Sequence, residues 1–117
     1  MSEGMVSVSG RLREMLSTFD AEAYSGSECA VIAEDLAVTE KACTAAMSLA
    51  AARAVREHAH RERAFTDGER RLAQQSGTTR HVARRALETA GRLEDCPDTK
   101  QALLAGEVSL AQAGDTG

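Results

Sequence analysis

The chain has 117 residues, which fits one small domain, and 43% of them are apolar, too many for an intrinsically disordered protein. Aromatic residues make up only 3%, and alanine supplies much of the apolar content, a composition that favours closely packed helices over strands. The net charge of −4 conceals a basic middle, because residues 51–93 hold ten arginines and five acids between two acidic flanks. Neither a secretory signal nor an apolar run of about 20 residues is visible, so we expect a soluble cytoplasmic protein without membrane contact.

The N-terminal half of the sequence predicts two helices separated by a connector. The first covers residues 9–18, and residues 20–26 form the connector. Ser25 and Glu28 match a capping box, in which each side chain accepts a hydrogen bond from the backbone N–H of the other residue. A long alanine-rich helix is predicted to follow over residues 27–63. Its predicted apolar stripe contains Cys29, Ile32, Leu36, Cys43, Met47, Ala50 and Ala54.

The middle of the sequence predicts a helix, a tight turn and a second helix. Thr66, Asp67, Gly68 and Glu69 are predicted to form a turn, in which Thr66 and Glu69 match another capping box. A short helix over residues 69–76 is predicted to follow. Gly77 is predicted to form the next turn, because glycine adopts positive φ without steric cost. A helix over residues 79–93 is predicted to follow that turn.

The C-terminal part predicts two more helices. Pro97 favours a helix start, since its missing N–H would be unpaired there anyway, and this helix is expected to end at residue 105. Gly106 suits a left-handed C-terminal cap, and Ser109 with Gln112 forms a third capping box for a helix that the chain barely begins. No strand-like alternation is visible, so the predicted fold is all-α, with one long alanine-rich helix and a helix-turn-helix-like unit.

The cysteines and histidines predict neither a metal site nor a catalytic site. Cys29, Cys43 and Cys96 lack metal-ligand spacing and are expected to be small buried apolar residues. His58 and His60 are two positions apart, so on a helix they point to different sides. No phosphate-binding loop, dinucleotide-binding fingerprint or nucleophile elbow is present. We therefore expect no catalytic residue, metal, cofactor or small-molecule ligand, and an enzyme with an unrecognised site is the least favoured interpretation.

Residues 69–93 have the spacing of a helix-turn-helix. Ala73 is the small residue that the first helix needs where the two helices touch, and Gly77 follows four positions later as the turn. Ala83, six positions beyond the glycine, is expected to pack back on the first helix. The predicted inner face is completed by Leu72, Ala86, Leu87, Ala90 and Leu93.

The outward positions of the second helix predict contact with DNA. The predicted DNA-binding residues are Thr79, Arg80, His81, Arg84, Arg85 and Arg92. Arginine side chains at such positions can reach phosphates or guanine edges. Glu88 lies four residues from both Arg84 and Arg92, so ion pairs within the helix are a competing use of these arginines. A helical hairpin with a purely structural role is the alternative.

A longer sequence pattern includes this segment and residues before and after it in the chain. It consists of Leu36-Ala37, Glu40, residues 49–53, Leu72-Ala73, Gly77-Thr78-Thr79, Ala83, Leu87, Ala90, Arg92-Leu93, Pro97 and the run AGEVSLAQA at 105–113. With these residues the chain resembles the actinobacterial 13E12 repeat family, a domain of unknown function that commonly precedes an HNH endonuclease domain. The segment is also similar to the helix-turn-helix of ParB-type partition proteins, in which a glycine turn precedes a proline, a short helix and a Gly-x-[Ile/Val]-Ser run.

The resemblance implies a DNA-binding helical domain of an HNH endonuclease-like protein without the nuclease part, because the pattern stops at the four-residue tail, 114–117. The implied organisation is an N-terminal helix and connector over 1–26 and a helical domain over 27–113, with the helix-turn-helix-like unit at 69–93. The alternative is a helical protein–protein interaction or oligomerisation module without DNA binding. In that case, two copies of the long helix would pair as a homodimer.

Overall fold

The computed structural model describes residues 2–57 and 64–116, and within these ranges the chain contains six α-helices and no strand. The helices are α1 (Ser2–Ser17), α2 (Gly26–Glu57), α3 (Ala64–Ser76), α4 (Arg80–Leu93), α5 (Pro97–Leu104) and α6 (Leu110–Thr116), with a short 3₁₀ helix at Ala21–Ala23. The predicted all-α fold with one long helix is confirmed. None of the described helices combines the length and the apolar character needed to cross a membrane.

The chain divides into two compact units, Met1–Glu34 and Asp35–Gly117. The first unit contains α1, the 3₁₀ helix and the start of α2, and α1 begins at Ser2 rather than at the predicted residue 9. The rings of Phe19 and Tyr24 stack with their centroids 5.8 Å apart. No side chain described in this unit is buried, so its helices are defined by local interactions.

The capping box predicted at the start of α2 is confirmed. The carboxylate of Glu28 accepts a hydrogen bond from the backbone N–H of Ser25 at 2.8 Å, and the hydroxyl of Ser25 accepts one from the backbone N–H of Glu28 at 3.2 Å. The backbone and then the side chain of Ser25 lower the pKa of Glu28, because hydrogen bonds to the carboxylate favour its charged form. The box satisfies backbone donors that the first turn of a helix leaves unpaired.

Two apolar clusters form the core of the second unit. The first joins α2, α4, α5 and α6 through Ala45, Leu93, Leu103, Leu110 and Ala113. The second joins α3 to α4 through Leu72, Ala73, Ala83 and Leu87, with Met47, Ala51 and Ala52 of α2 packed against it. Ala86 of α4 packs against both clusters, so α4 is held on two sides and has one face left for solvent.

The buried face of α2 differs from the predicted apolar stripe. Ala45 and Ser48 are its buried residues, whereas Cys43, Ala50 and Ala54 of the predicted stripe are exposed. Alanine occupies positions all round this helix, so the sequence pattern does not define one apolar face. The end predicted for this helix, at residue 63, lies outside the described residues.

The prediction of three buried cysteines is wrong. Cys29 is half-buried, Cys43 and Cys96 are exposed, and all three are free thiols. Cys29 lies in the unit whose described side chains are never buried, and Cys43 lies outside the buried face of α2. Cys96 precedes α5, at a position that packs against neither apolar cluster.

The C-terminal signals are confirmed. Pro97 is the first residue of α5, and Gly106 has a φ of +76°, as expected for a left-handed cap. A Cβ atom at Gly106 would lie 2.5 Å from the carbonyl oxygen of Val38 in α2, so the close approach also requires glycine. The backbone N–H of Ser109 donates to Oε1 of Gln112 at 2.7 Å, and the backbone N–H of Gln112 donates to Oγ of Ser109 at 3.1 Å. This third capping box opens α6.

Candidate nucleic-acid interface

The turn between α3 and α4 has the predicted conformation. Gly77 has a φ of +67°, and the backbone N–H of Thr78 donates to the carbonyl oxygen of Ala73 at 3.0 Å. Such a bond satisfies one of the carbonyl groups that a helix end leaves unpaired. The hydroxyl of Thr79 accepts a hydrogen bond from the backbone N–H of Val82 at 3.2 Å and caps α4. The tight turn and the cap therefore fix where α4 begins relative to α3.

The turn predicted at residues 66–69 is wrong, because α3 is already helical from Ala64. Gly68, which suggested a turn, serves a packing role instead: a Cβ atom there would overlap Cγ2 of Val55 in α2. Glu69 is not a capping residue, since its carboxylate is bonded to side chains of α4. The helix-turn-helix-like unit thus begins with a first helix longer than predicted.

The two faces of α4 differ sharply in exposure. Its buried face carries Ala83, Leu87, Thr89, Ala90 and Leu93. The residues predicted to contact DNA are all exposed, at Thr79, Arg80, His81, Arg84, Arg85 and Arg92. The predicted inner and outer positions of this helix are therefore assigned correctly, while the role of the outer residues in binding stays a prediction.

Two of the exposed arginines converge on one buried carboxylate. Nε of Arg80 donates to Oε1 of Glu69 at 3.2 Å, and Nε of Arg84 donates to Oε2 of the same carboxylate at 3.2 Å. The Glu69 side chain is 5% exposed, whereas the side chains of Arg80 and Arg84 are 55% and 56% exposed. Glu69 thus spans the contact between α3 and α4, and more than half of each arginine side chain is open to solvent.

Sequence reasoning missed this pairing because it considered partners only within α4. Arg84 bonds to Glu69 rather than to Glu88, and Arg92 donates from Nη2 to the Thr89 hydroxyl at 3.4 Å. A usable signal was present in the sequence. Glu69 precedes Leu72 and Ala73 by three and four residues, so it lies on the inner face of α3, where a carboxylate needs a bonded partner.

The exposed face of α4 is basic overall. Between Arg80 and Leu93 the helix carries four arginines and His81, and Glu88 is its single acidic residue. Glu69 offsets part of the charge of Arg80 and Arg84, which leaves one net positive charge for this group of three side chains. A helix face of this kind can bind phosphate groups through charge-assisted hydrogen bonds.

The other candidate sites offer fewer groups that could bind a ligand or a metal ion. Among the residues that the structure describes, no three histidine, cysteine or acidic side chains are placed to hold a metal ion. His58 and His60 lie outside the described residues. An open cleft of about 320 Å³ between α2 and α3 has a mostly apolar lining, so α4 is the better candidate for a nucleic-acid surface.

Comparison with known proteins identifies no relative. Neither a protein-family model, nor a curated protein, nor a solved structure matches the chain. The resemblance to the 13E12 repeat family therefore stays a prediction from the sequence, and the case for a function rests on the geometry of α3 and α4.

Proposed function

We propose that the chain is a DNA-binding helical domain of the kind that its resemblance to the 13E12 repeat family implies. In this proposal α4 lies in the major groove, and its exposed arginines contact backbone phosphates and guanine edges. The observation that carries the proposal is the division of α4 into a buried apolar face and an exposed arginine face, directly after a capped glycine turn.

The roles of the individual residues follow from their positions along α4. Arg80, Arg84 and Arg85 lie in its first two turns, the part of a recognition helix that approaches the bases. The hydroxyl of Thr79 accepts the capping bond and can still donate its own hydrogen to a phosphate oxygen. Arg92, in the last turn, is placed for a phosphate farther along the groove.

The test is fluorescence anisotropy of labelled duplex DNA at several salt concentrations, with circular dichroism to verify folding. Binding of the unaltered chain should weaken steeply as salt rises, because each phosphate contact releases counterions. The Arg84→Ala/Arg85→Ala variant should bind more weakly, and its logarithmic salt slope should flatten by about 1 for each phosphate that the variant no longer neutralises. Because Arg84 also pairs with Glu69, an Arg85→Ala/Arg92→Ala variant provides a second test that leaves that pairing in place.

The matched control removes two arginines from the other unit. An Arg11→Ala/Arg13→Ala variant changes the net charge by the same amount in α1. This control should keep most of the affinity and the salt slope of the parent. If the folded α4 variants bind as well as this control, α4 is not the contact surface and the proposal is wrong.

A helical protein-interaction module is the second candidate, and the exposure of apolar side chains favours it. Met5, Met15 and Val31 are 73%, 72% and 66% exposed, so these apolar side chains are available for contact with a partner. Val38 on α2 is 41% exposed. Sedimentation equilibrium separates the two candidates: concentration-dependent dimerisation without salt-dependent DNA binding would favour the interaction module.

A further inference from the structure

Glu69 is a charged residue buried between two helices. It is 4% exposed, and the side chains that bond to it lie 11 and 15 residues away in sequence. A buried carboxylate is costly unless it is paired and hydrogen-bonded, so its two bonds to Arg80 and Arg84 offset a desolvation penalty. An apolar residue at this position would avoid that penalty, so holding α3 to α4 does not by itself require a carboxylate.

The two bonds to Glu69 leave most of the N–H donors of each arginine available to another ligand. Both bonds use Nε, and a guanidinium group has five N–H donors in a rigid plane. More than half of each arginine side chain is exposed. Arg80 and Arg84 are one helical turn apart and bond to the two oxygens of one carboxylate, so their guanidinium groups are held side by side.

We infer that Glu69 is a positioning residue, which holds Arg80 and Arg84 as a preformed pair of donors for one backbone phosphate of duplex DNA. This inference rests on the proposed function. A free arginine loses rotamer freedom when it binds, and side chains that are ordered beforehand lose less. The group of two arginines and one carboxylate carries one net positive charge, which matches the single negative charge of a phosphodiester.

A Glu69→Gln variant separates positioning from simple charge. The glutamine amide offers one acceptor oxygen and one NH₂ group, so it can accept from one arginine and repels the other. Duplex affinity should then fall about three- to tenfold, although the net charge of the chain becomes more positive by one. If Glu69 merely neutralised charge, the same variant would bind DNA more tightly, because the basic surface would gain charge.

The matched control is Glu88→Gln, which makes the same change in charge on the exposed face of α4. Removal of this exposed carboxylate should raise the affinity for duplex DNA or leave it unchanged. A loss of affinity in Glu69→Gln without a loss in Glu88→Gln, measured with the same labelled duplex by anisotropy, is the signature of positioning. Circular dichroism melting curves establish which variants are folded at the temperature of the binding assay.

A second variant decides the question if Glu69→Gln does not fold. Arg80→Lys/Arg84→Lys keeps both positive charges and the carboxylate, but a lysine ammonium bonded to Glu69 has no second edge to extend to a phosphate. Its affinity should fall about three- to tenfold at constant net charge, and by more than that of an Arg85→Lys/Arg92→Lys variant, which makes the same exchange at the other two arginines of α4.

The outcomes distinguish the two proposals. If the unaltered chain shows no salt-dependent binding to duplex DNA, the proposed function is wrong, and the role of Glu69 in phosphate recognition is wrong with it. If the unaltered chain binds and the folded Glu69→Gln variant binds equally well or more tightly, or if the two lysine variants lose the same affinity, only the positioning role is overturned. Tighter binding of Glu69→Gln would mean that Glu69 holds the two arginines away from DNA.

Discussion

The two units of the chain differ in what holds their helices in place. In the first unit, Met1–Glu34, no described side chain is buried, and the 3₁₀ helix and the start of α2 rest on capping bonds such as those of Ser25 and Glu28. In the second, Asp35–Gly117, two apolar clusters hold α4 against its neighbours. Stability should therefore be concentrated in the second unit, and similar substitutions should have very different effects in the two.

The largest difference in the loss of stability is expected between alanine substitutions of two leucines, one in each unit. Leu103 is fully buried in the first cluster, so Leu103→Ala should lower the free energy of unfolding by about 2–5 kcal/mol, because it removes buried methyl groups and leaves a cavity. Leu16 in α1 is 44% exposed, so Leu16→Ala should cost less than about 1 kcal/mol. Urea denaturation followed by circular dichroism measures both values. Equal effects of the two substitutions would contradict the concentration of stability in the second unit.

Two glycines of the second unit both have positive φ, but only one of them is crowded by neighbouring atoms. Replacement by alanine should cost about 1–2 kcal/mol at Gly77, where nothing lies near the added Cβ. At Gly106 the same backbone strain combines with a contact to the carbonyl oxygen of Val38, so Gly106→Ala should cost about 3 kcal/mol. Thermal melting of the two variants gives the comparison. A Gly77→Ala variant that is the less stable of the two would show that the packing of Gly106 on α2 is misassigned.

The smallest expected effect is the pH dependence of stability, which should differ between two capping boxes. The pKa of Glu28 in the folded chain lies below its ordinary value, so the unfolded chain binds more protons in the acid range. The contribution of this box is therefore present above the ordinary pKa of glutamate and is lost as the pH falls through the lowered value. The box of Ser109 and Gln112 contains no titrating group and should not respond.

Amide chemical shifts in an acid titration measure this difference directly. The amide of Ser25 should titrate with the lowered pKa of Glu28, and Glu28→Gln should abolish that titration. The chemical shift of the Ser109 amide should not change over the same pH range. A Ser25 amide that does not move as Glu28 is protonated would show that the capping bond is absent in solution.

The features that sequence reasoning predicted correctly are local ones. The Ser25 and Ser109 capping boxes, the Gly77 turn, the Pro97 helix start and the Gly106 cap each depend on a few neighbouring residues. Their side-chain and backbone preferences act regardless of the rest of the fold. The two faces of α4 were also predictable, because its leucines and alanines recur at helical spacing.

The features that were missed depend on contacts between helices. The buried face of α2 is set by which helices pack on it, since alanine surrounds the helix and marks no side. Gly68 looked like a turn residue but is a contact with Val55. The pairing of Glu69 with Arg80 and Arg84 joins residues in different helices, so no spacing within one helix predicts it.

Contact between the exposed face of α4 and DNA can be measured residue by residue, in a titration of the isotope-labelled chain with duplex DNA followed by amide and arginine side-chain NMR signals. We expect the largest shifts at Arg80, Arg84, Arg85 and their neighbours in α4, and we expect added salt to reverse them. Signals of the buried core residues, such as Leu103, should move little. Shifts confined to α1, or no shifts at low salt from a chain that is folded, would show that α4 does not contact DNA.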